Sequence, residues 1–197
     1  ISLSLFSDKP NVVIIFTDDQ GYADLGCYGS KTNKTPRLDQ LAKEGTLFTS
    51  FYTQTVCGPS RSALLTGRYP CRSKGWGMPA SEITFAELIK GAGYQTVCIG
   101  KWDVSNRKPI IDRMPNAQGF DYFFGALGAN DPGSIKFHYN NEAAGTSKDM
   151  GGLTTLYTDK SIDFLKNKRD PKKPFVLYLA HTMMHTIIDA SDRFRGK

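Results

Sequence analysis

Two kinds of apolar pattern alternate along this chain. Continuous runs of β-branched and aromatic residues lie at 11–17 (Asn-Val-Val-Ile-Ile-Phe-Thr), 94–99 (Tyr-Gln-Thr-Val-Cys-Ile) and 175–180 (Phe-Val-Leu-Tyr-Leu-Ala). They have the length and composition of strands buried on both faces of a parallel sheet. Between them, apolar positions recur at helical spacing: Leu38, Leu41 and Ala42 within 35–44, a short run over 84–90, and Leu156, Ile162 and Leu165 within 153–168. Pro36 suits the opening of the first helix and Gly45 its stop, and Gly91-Ala92-Gly93 closes the second. Residues 47–52 read as a further strand. This β-α-β rhythm predicts an α/β fold, a mostly parallel sheet flanked by helices. The run at 175–180 is expected to present an open sheet edge. Residues 126–152, rich in Gly and Asn, read as a long excursion and a candidate for substrate selection; His138 within it reads as structural or solvated.

Polar residues with chemistry gather where the apolar runs stop, which is where open α/β sheets bind their ligands. Asp18-Asp19 follows the first run, Gly100-Lys101-Trp102-Asp103 the second, and His181-Thr182-Met183-Met184-His185 the third. Taken singly, these would be a turn, a solvated lysine and a packing histidine. A fourth stretch, Cys57-Gly58-Pro59-Ser60-Arg61, runs on to Leu65-Thr66-Gly67-Arg68. Pro59 fits a first helical turn and places Cys57 just before it. The positive helix end and Arg61, one turn on, predict an acidic thiol.

Together these stretches resemble the type I sulfatases of the alkaline-phosphatase-like superfamily. The signature Cys-x-Pro-Ser-Arg with Leu-Thr-Gly-Arg is matched at Cys57, Pro59, Ser60, Arg61, Leu65, Thr66, Gly67 and Arg68. Further matches are Asp18-Asp19, the Thr-Pro-x-Leu-Asp-x-Leu-Ala of 35–42, Gly100-Lys101-Trp102, and Gly-Phe-Asp-Tyr-Phe at 119–123. The resemblance implies that Cys57 is the precursor of Cα-formylglycine, whose hydrated aldehyde attacks the sulfur of a sulfate ester. It implies a divalent cation on Asp18, Asp19 and residue 57: Ca²⁺, with Mg²⁺ as the alternative, since the visible ligands are hard oxygens. Arg61 and Lys101 would balance sulfate charge, and His185 would protonate the departing oxygen. Met184 and Ile187 stand where the family has prolines, which leaves His181 as a second candidate. Asp103 stands where the family has histidine. It either faces elsewhere, pairs with Lys101 or Arg107, or signals altered activity.

The resemblance covers nearly the whole chain but only the N-terminal part of the family, so residues 1–197 read as one α/β domain cut short. The function it implies is hydrolysis of a sulfate monoester, foremost of a sulfated carbohydrate, after maturation by a formylglycine-generating enzyme. A phosphatase or phosphonate monoester hydrolase of the same superfamily, or a non-catalytic sulfated-glycan binder, are the alternatives. The family also suggests an exported protein, whether periplasmic, secreted or lysosomal. Asn33-Lys34-Thr35 is a glycosylation sequon that matters only in a eukaryotic source.

Composition narrows this a little. The net charge of +6 is spread along 197 residues and suits a polyanionic substrate, while no nucleic-acid motif is present. The basic run 166–173, broken by Asp170 and Pro171, reads as a loop. Four cysteines without Cys-x-x-Cys spacing argue against zinc and fix no disulfide pairing. Residues 1–7 read as an edge strand or the tail of a signal-peptide apolar region. No apolar run is long enough to cross a bilayer.

Overall fold

A computed structural model describes residues 9–196, so the reading of residues 1–7 lies outside the described residues. The chain separates into two compact units, one comprising the chain up to Asp18 and from Gln54 onward, the other Asp19–Thr53. In chain order the elements are β1 (Val12–Phe16), α1 (Pro36–Glu44), α2 (Cys57–Thr66), α3 (Pro70–Ser73), α4 (Phe85–Gly91), β2 (Gln95–Lys101), β3 (Tyr122–Ala126), β4 (Ile135–Tyr139), β5 (Glu142–Ser147), α5 (Leu153–Asp163) and β6 (Phe175–Ala180).

The larger unit is built on a six-stranded sheet of order β1-β6-β2-β3-β4-β5. The first four strands in that order are parallel, and β4 and β5 join antiparallel. Alternation along the inner strands sends side chains to two cores. Val97, Ile99, Leu177 and Leu179 pack with Tyr157 and Leu153 of α5. Cys98, Tyr178 and Ala180 face the other way, onto Leu65 of α2, Ala86 of α4 and the rings of Phe120, Phe123 and Trp102. Helices on both faces explain why these strands read as unbroken apolar runs. At α4, Thr84 Oγ1 accepts from the Glu87 N–H at 3.2 Å while the Glu87 carboxylate accepts from the Thr84 N–H at 2.8 Å, a capping box that fixes where the helix starts.

The sheet departs from the sequence reading in several places, and β3, at Tyr122–Ala126, is missing from that reading altogether. β6 is central, not an edge: it lies between β1 and β2 and all six of its residues are buried. Among the described residues the edge falls instead on β1, which pairs there with β6 alone, and Val13 and Ile15 are 49% and 58% exposed rather than buried on both faces. The excursion at 126–152 contains a hairpin of β4 and β5, turned at Asn140-Asn141, with Asn140 at a φ of 51°. The signal was present: Ile135 and Phe137 face inward while Lys136 between them faces out, a period of two ending at a residue type that tolerates left-handed backbone.

In the smaller unit, Asp39 ties the start of α1 to the preceding turn. Its Oδ1 accepts from the Cys27 N–H at 2.7 Å and from Thr35 Oγ1 at 2.9 Å. Residues 47–52 form no strand, and Phe48, Phe51 and Tyr52 are exposed. No helix of the described residues is long and apolar enough to cross a membrane.

Candidate active site

The parallel register brings the strand ends level. Phe16 and Gly100 both pair with Ala180, and Lys101 pairs with Ala126. Gly100 makes this close approach possible. At its φ of 114° an added Cβ would lie 1.9 Å from the Ala180 carbonyl oxygen. Asp18, Lys101 and His181 follow directly from these ends, and α2 delivers Cys57 and Arg61.

Asp18, 3% exposed, is the hub. Its Oδ2 lies 2.5 Å from Lys101 Nζ and 3.4 Å from an Arg61 amino group. Lys101 is fully buried, so the solvated alternative is excluded. Arg61 is buried as well, and its bonds run inward: Nη1 donates to the Lys101 carbonyl at 2.9 Å and Nη2 to the His181 carbonyl at 3.2 Å. The signature arginine therefore locks β2 to β6 and neutralises Asp18. Asp19, the next residue, opens the smaller unit with a left-handed φ of 57°, and its role rests on the resemblance alone.

Cys57 is the first residue of α2 rather than the residue before it. The thiol is also not acidic: burial pushes its pKa up, a hydrogen bond to the Asp103 carboxylate adds to this, and the pull of Lys101 does not reverse it. The helix end and Arg61 lose to the burial of the thiol and, after it, to the neighbouring Asp103 carboxylate.

Asp103 is the surprise of the site. It is fully buried at a φ of 57° and takes both pairings the sequence suggested, Arg107 Nε at 2.9 Å and Lys101 Nζ at 3.5 Å. The indole N–H of Trp76 also donates to its Oδ2 at 3.0 Å. Trp76 escaped the sequence reading, and only its position between Gly75 and Gly77 marked it. Its indole lies so close over Gly58 that a Cβ there would fall 2.1 Å from the ring.

The two histidines separate clearly. His181 is 7% exposed beside Tyr157, and burial, then the nearby Arg61 charge, lowers its pKa to about 4. It stays neutral at physiological pH. His185 Nδ1 lies 2.5 Å from the Thr186 carbonyl, so Nδ1 is the donor there, and Nε2 lies 3.5 Å from Asp131 Oδ1. Arg107 Nη1 also reaches Asp131, at 3.2 Å, which links Cys57 to His185 through Asp103, Arg107 and Asp131. His138, on β4, has its pKa lowered by burial and belongs to the hairpin rather than to this site.

The oxygen donors suit a hard cation, yet among the described residues no three His, Cys, Asp or Glu side chains converge on one point. Asp18 thus fits part of a coordination shell and not the whole of it.

A profile of the Sulfatase family matches residues 10–197. N-acetylgalactosamine-6-sulfatase of Rattus norvegicus is 33% identical over 221 residues, which cover 95% of this chain and 42% of that protein. An arylsulfatase of Hemicentrotus pulcherrimus is 35% identical over 217 residues, covering 94% and 39% respectively. Among solved structures, Ps i-CgsB in complex with k-i-k-neocarrahexaose superposes with a TM-score of 0.83 at 30% identity, over 94% of this chain and 48% of that one. A structure holding its substrate D-glucosamine-2-N,6-O-disulfate gives 0.77 at 30% identity, over 91% and 35%. The chain spans less than half the length of each of these relatives. Because the match runs through every strand of the sheet and not through the signature helix alone, the chain belongs to the sulfatase family.

Proposed function

We propose that this chain forms part of an enzyme that hydrolyses sulfate monoesters of carbohydrates. The observation that carries the reading is the meeting of Cys57, Asp18 and Lys101 at level strand ends, with Lys101 Nζ 2.5 Å from Asp18 Oδ2 and Asp103 against the thiol. Cα-formylglycine at position 57 supplies an oxygen nucleophile, and a divalent cation, Ca²⁺ or Mg²⁺, neutralises sulfate charge. Asp18 and Asp19 would hold that cation with residue 57, other donors completing the shell. Lys101 offers a buried positive charge to a sulfate oxygen, and Arg61 keeps Asp18 and the strand ends in place. His185 donates its Nδ1–H to the Thr186 carbonyl, so in the doubly protonated imidazolium its second proton would sit on Nε2, and that is the proton it would pass to the leaving oxygen. Maturation by a formylglycine-generating enzyme and export belong to the same proposal.

The test is to express the whole protein in a host able to modify Cys57, identify residue 57 by peptide mass spectrometry, and assay sulfate and phosphate esters side by side. Sulfate release that depends on the modified residue supports the reading. Activity of preparations carrying only cysteine sinks the aldehyde chemistry, and preference for phosphate esters moves the chain to the phosphatase alternative. A specific observation favours a third outcome, a sulfated-glycan binder without turnover. Asp103 holds a carboxylate against position 57, where the family has an imidazole.

A further inference from the structure

We propose that Trp76, Arg107 and Asp131 form a subsite for the hydroxyl-bearing ring of a sugar, beside Cys57. The inference rests on the carbohydrate sulfatase reading and deepens it. Asp103 acts here as an anchor. One carboxylate oxygen takes the Trp76 indole N–H at 3.0 Å and the other takes Arg107 Nε at 2.9 Å, so two partly exposed side chains are pinned by one buried group. The backbone holds them as well. Asn106 donates its N–H to the Trp76 carbonyl at 2.7 Å, Met78 donates to the Val104 carbonyl at 3.1 Å, and Gly77 and Ser105 form a β-bridge.

The segment stores strain for this placement. Asp103, Asn106 and Arg107 all take positive φ, at 57°, 54° and 57°, a conformation that non-glycine residues adopt at a cost and that gathers at functional sites. The stem of Arg107 lies along Gly128, where a Cβ would sit 3.1 Å from its Cγ and Cδ.

What remains accessible has the chemistry of sugar recognition. Trp76 is 38% exposed, whereas the other tryptophan, Trp102, is buried. An aromatic face packs against the C–H face of a pyranose. Arg107 and Asp131 side chains are 43% and 47% exposed and sit 3.2 Å apart, a donor beside an acceptor at the spacing of neighbouring hydroxyls. The pairings with Asp103 and Asp131 use Nε and Nη1 and leave Nη2. Because two carboxylates already match the charge of Arg107, the pair suits neutral hydroxyls better than a second anionic group.

The experiment titrates the whole protein with N-acetylgalactosamine and its 6-sulfate by calorimetry, alongside turnover of the sulfated sugar. Trp76→Ala is expected to weaken both sugars about tenfold, the worth of a lost ring contact. Trp76→Phe, which keeps a ring but loses the N–H, is expected to retain most of the affinity. Asp131→Ala should weaken the unsulfated sugar by a similar factor. If Phe binds as poorly as Ala, Trp76 only supports Asp103 and the subsite is overturned; absence of wild-type binding to either sugar overturns it too. Trp76-dependent binding without sulfate release keeps the subsite and sinks the sulfatase reading. Sulfate release with binding indifferent to Trp76 and Asp131 does the reverse.

Discussion

Asp103 shows how one side chain sets the character of a site. Burial raises the Cys57 pKa first, and Asp103, itself fully buried, raises it further by holding the proton on sulfur. Unmodified protein should therefore alkylate slowly at Cys57 near neutral pH, and Asp103→Asn should speed that reaction several-fold by removing the charge that favours the thiol. Peptide-resolved mass spectrometry after timed iodoacetamide treatment reads this out, and an unchanged rate would show that burial alone raises the pKa. His181 gives a pH signature of its own. Its folded pKa of about 4 lies below the ordinary 6.5, so the unfolded chain binds more protons between these values. Its contribution is present above pH 6.5 and is lost as pH falls towards 4, by up to about 3 kcal/mol at roughly 1.4 kcal/mol per unit. Urea unfolding across that range should be less steep in pH for His181→Gln; identical slopes would clear His181 of the effect.

At the scale of elements, the site depends on backbones that approach more closely than side chains allow. An added Cβ on Gly125 of β3 would lie 1.8 Å from the Gly100 carbonyl oxygen, and one on Gly100 would lie 1.9 Å from that of Ala180. Gly100→Ala should therefore cost stability, about 1–3 kcal/mol or more, and misplace Lys101 at the end of β2. Gly58→Ala should displace the Trp76 indole, which meets the added carbon at 2.1 Å. Thermal unfolding of the two variants checks this: a melting temperature within error of wild type for both would mean that the strand end and the indole give way freely. The same scale explains the misplaced edge. Five-residue β1 has the composition of an inner strand, and nothing local reveals that β6, more than 150 residues further along, inserts between it and β2.

For the molecule as a whole, the charges at the strand ends are matched before any ligand arrives. Asp18, Asp103 and Asp131 face Arg61, Lys101 and Arg107. A cation must compete with Lys101 and Arg61 for Asp18, and no three ligating side chains converge among the described residues. Residues 1–197 expressed alone should accordingly bind Ca²⁺ no more tightly than about 10⁻⁴–10⁻³ M, the weak end of protein sites. Calorimetry that found micromolar affinity would show that the shell is already complete.

The α/β class, the strands β1, β2 and β6, the helices α1 and α4, and the placement of Asp18, Lys101 and His185 at or just after strand ends were readable from the chain. Apolar runs and their stops are local properties, and the signature is a contiguous stretch. Beyond the pairings of Asp103 with Lys101 and Arg107, the partners of those side chains were not readable. Arg61 turns inward to Asp18 and the Lys101 carbonyl, 43 and 40 positions away in sequence, and Asp103 finds Trp76 across 27. Those pairings, and with them the raised Cys57 pKa, follow from strand order and burial, because a buried charge selects the nearest partner in space and not the nearest in sequence.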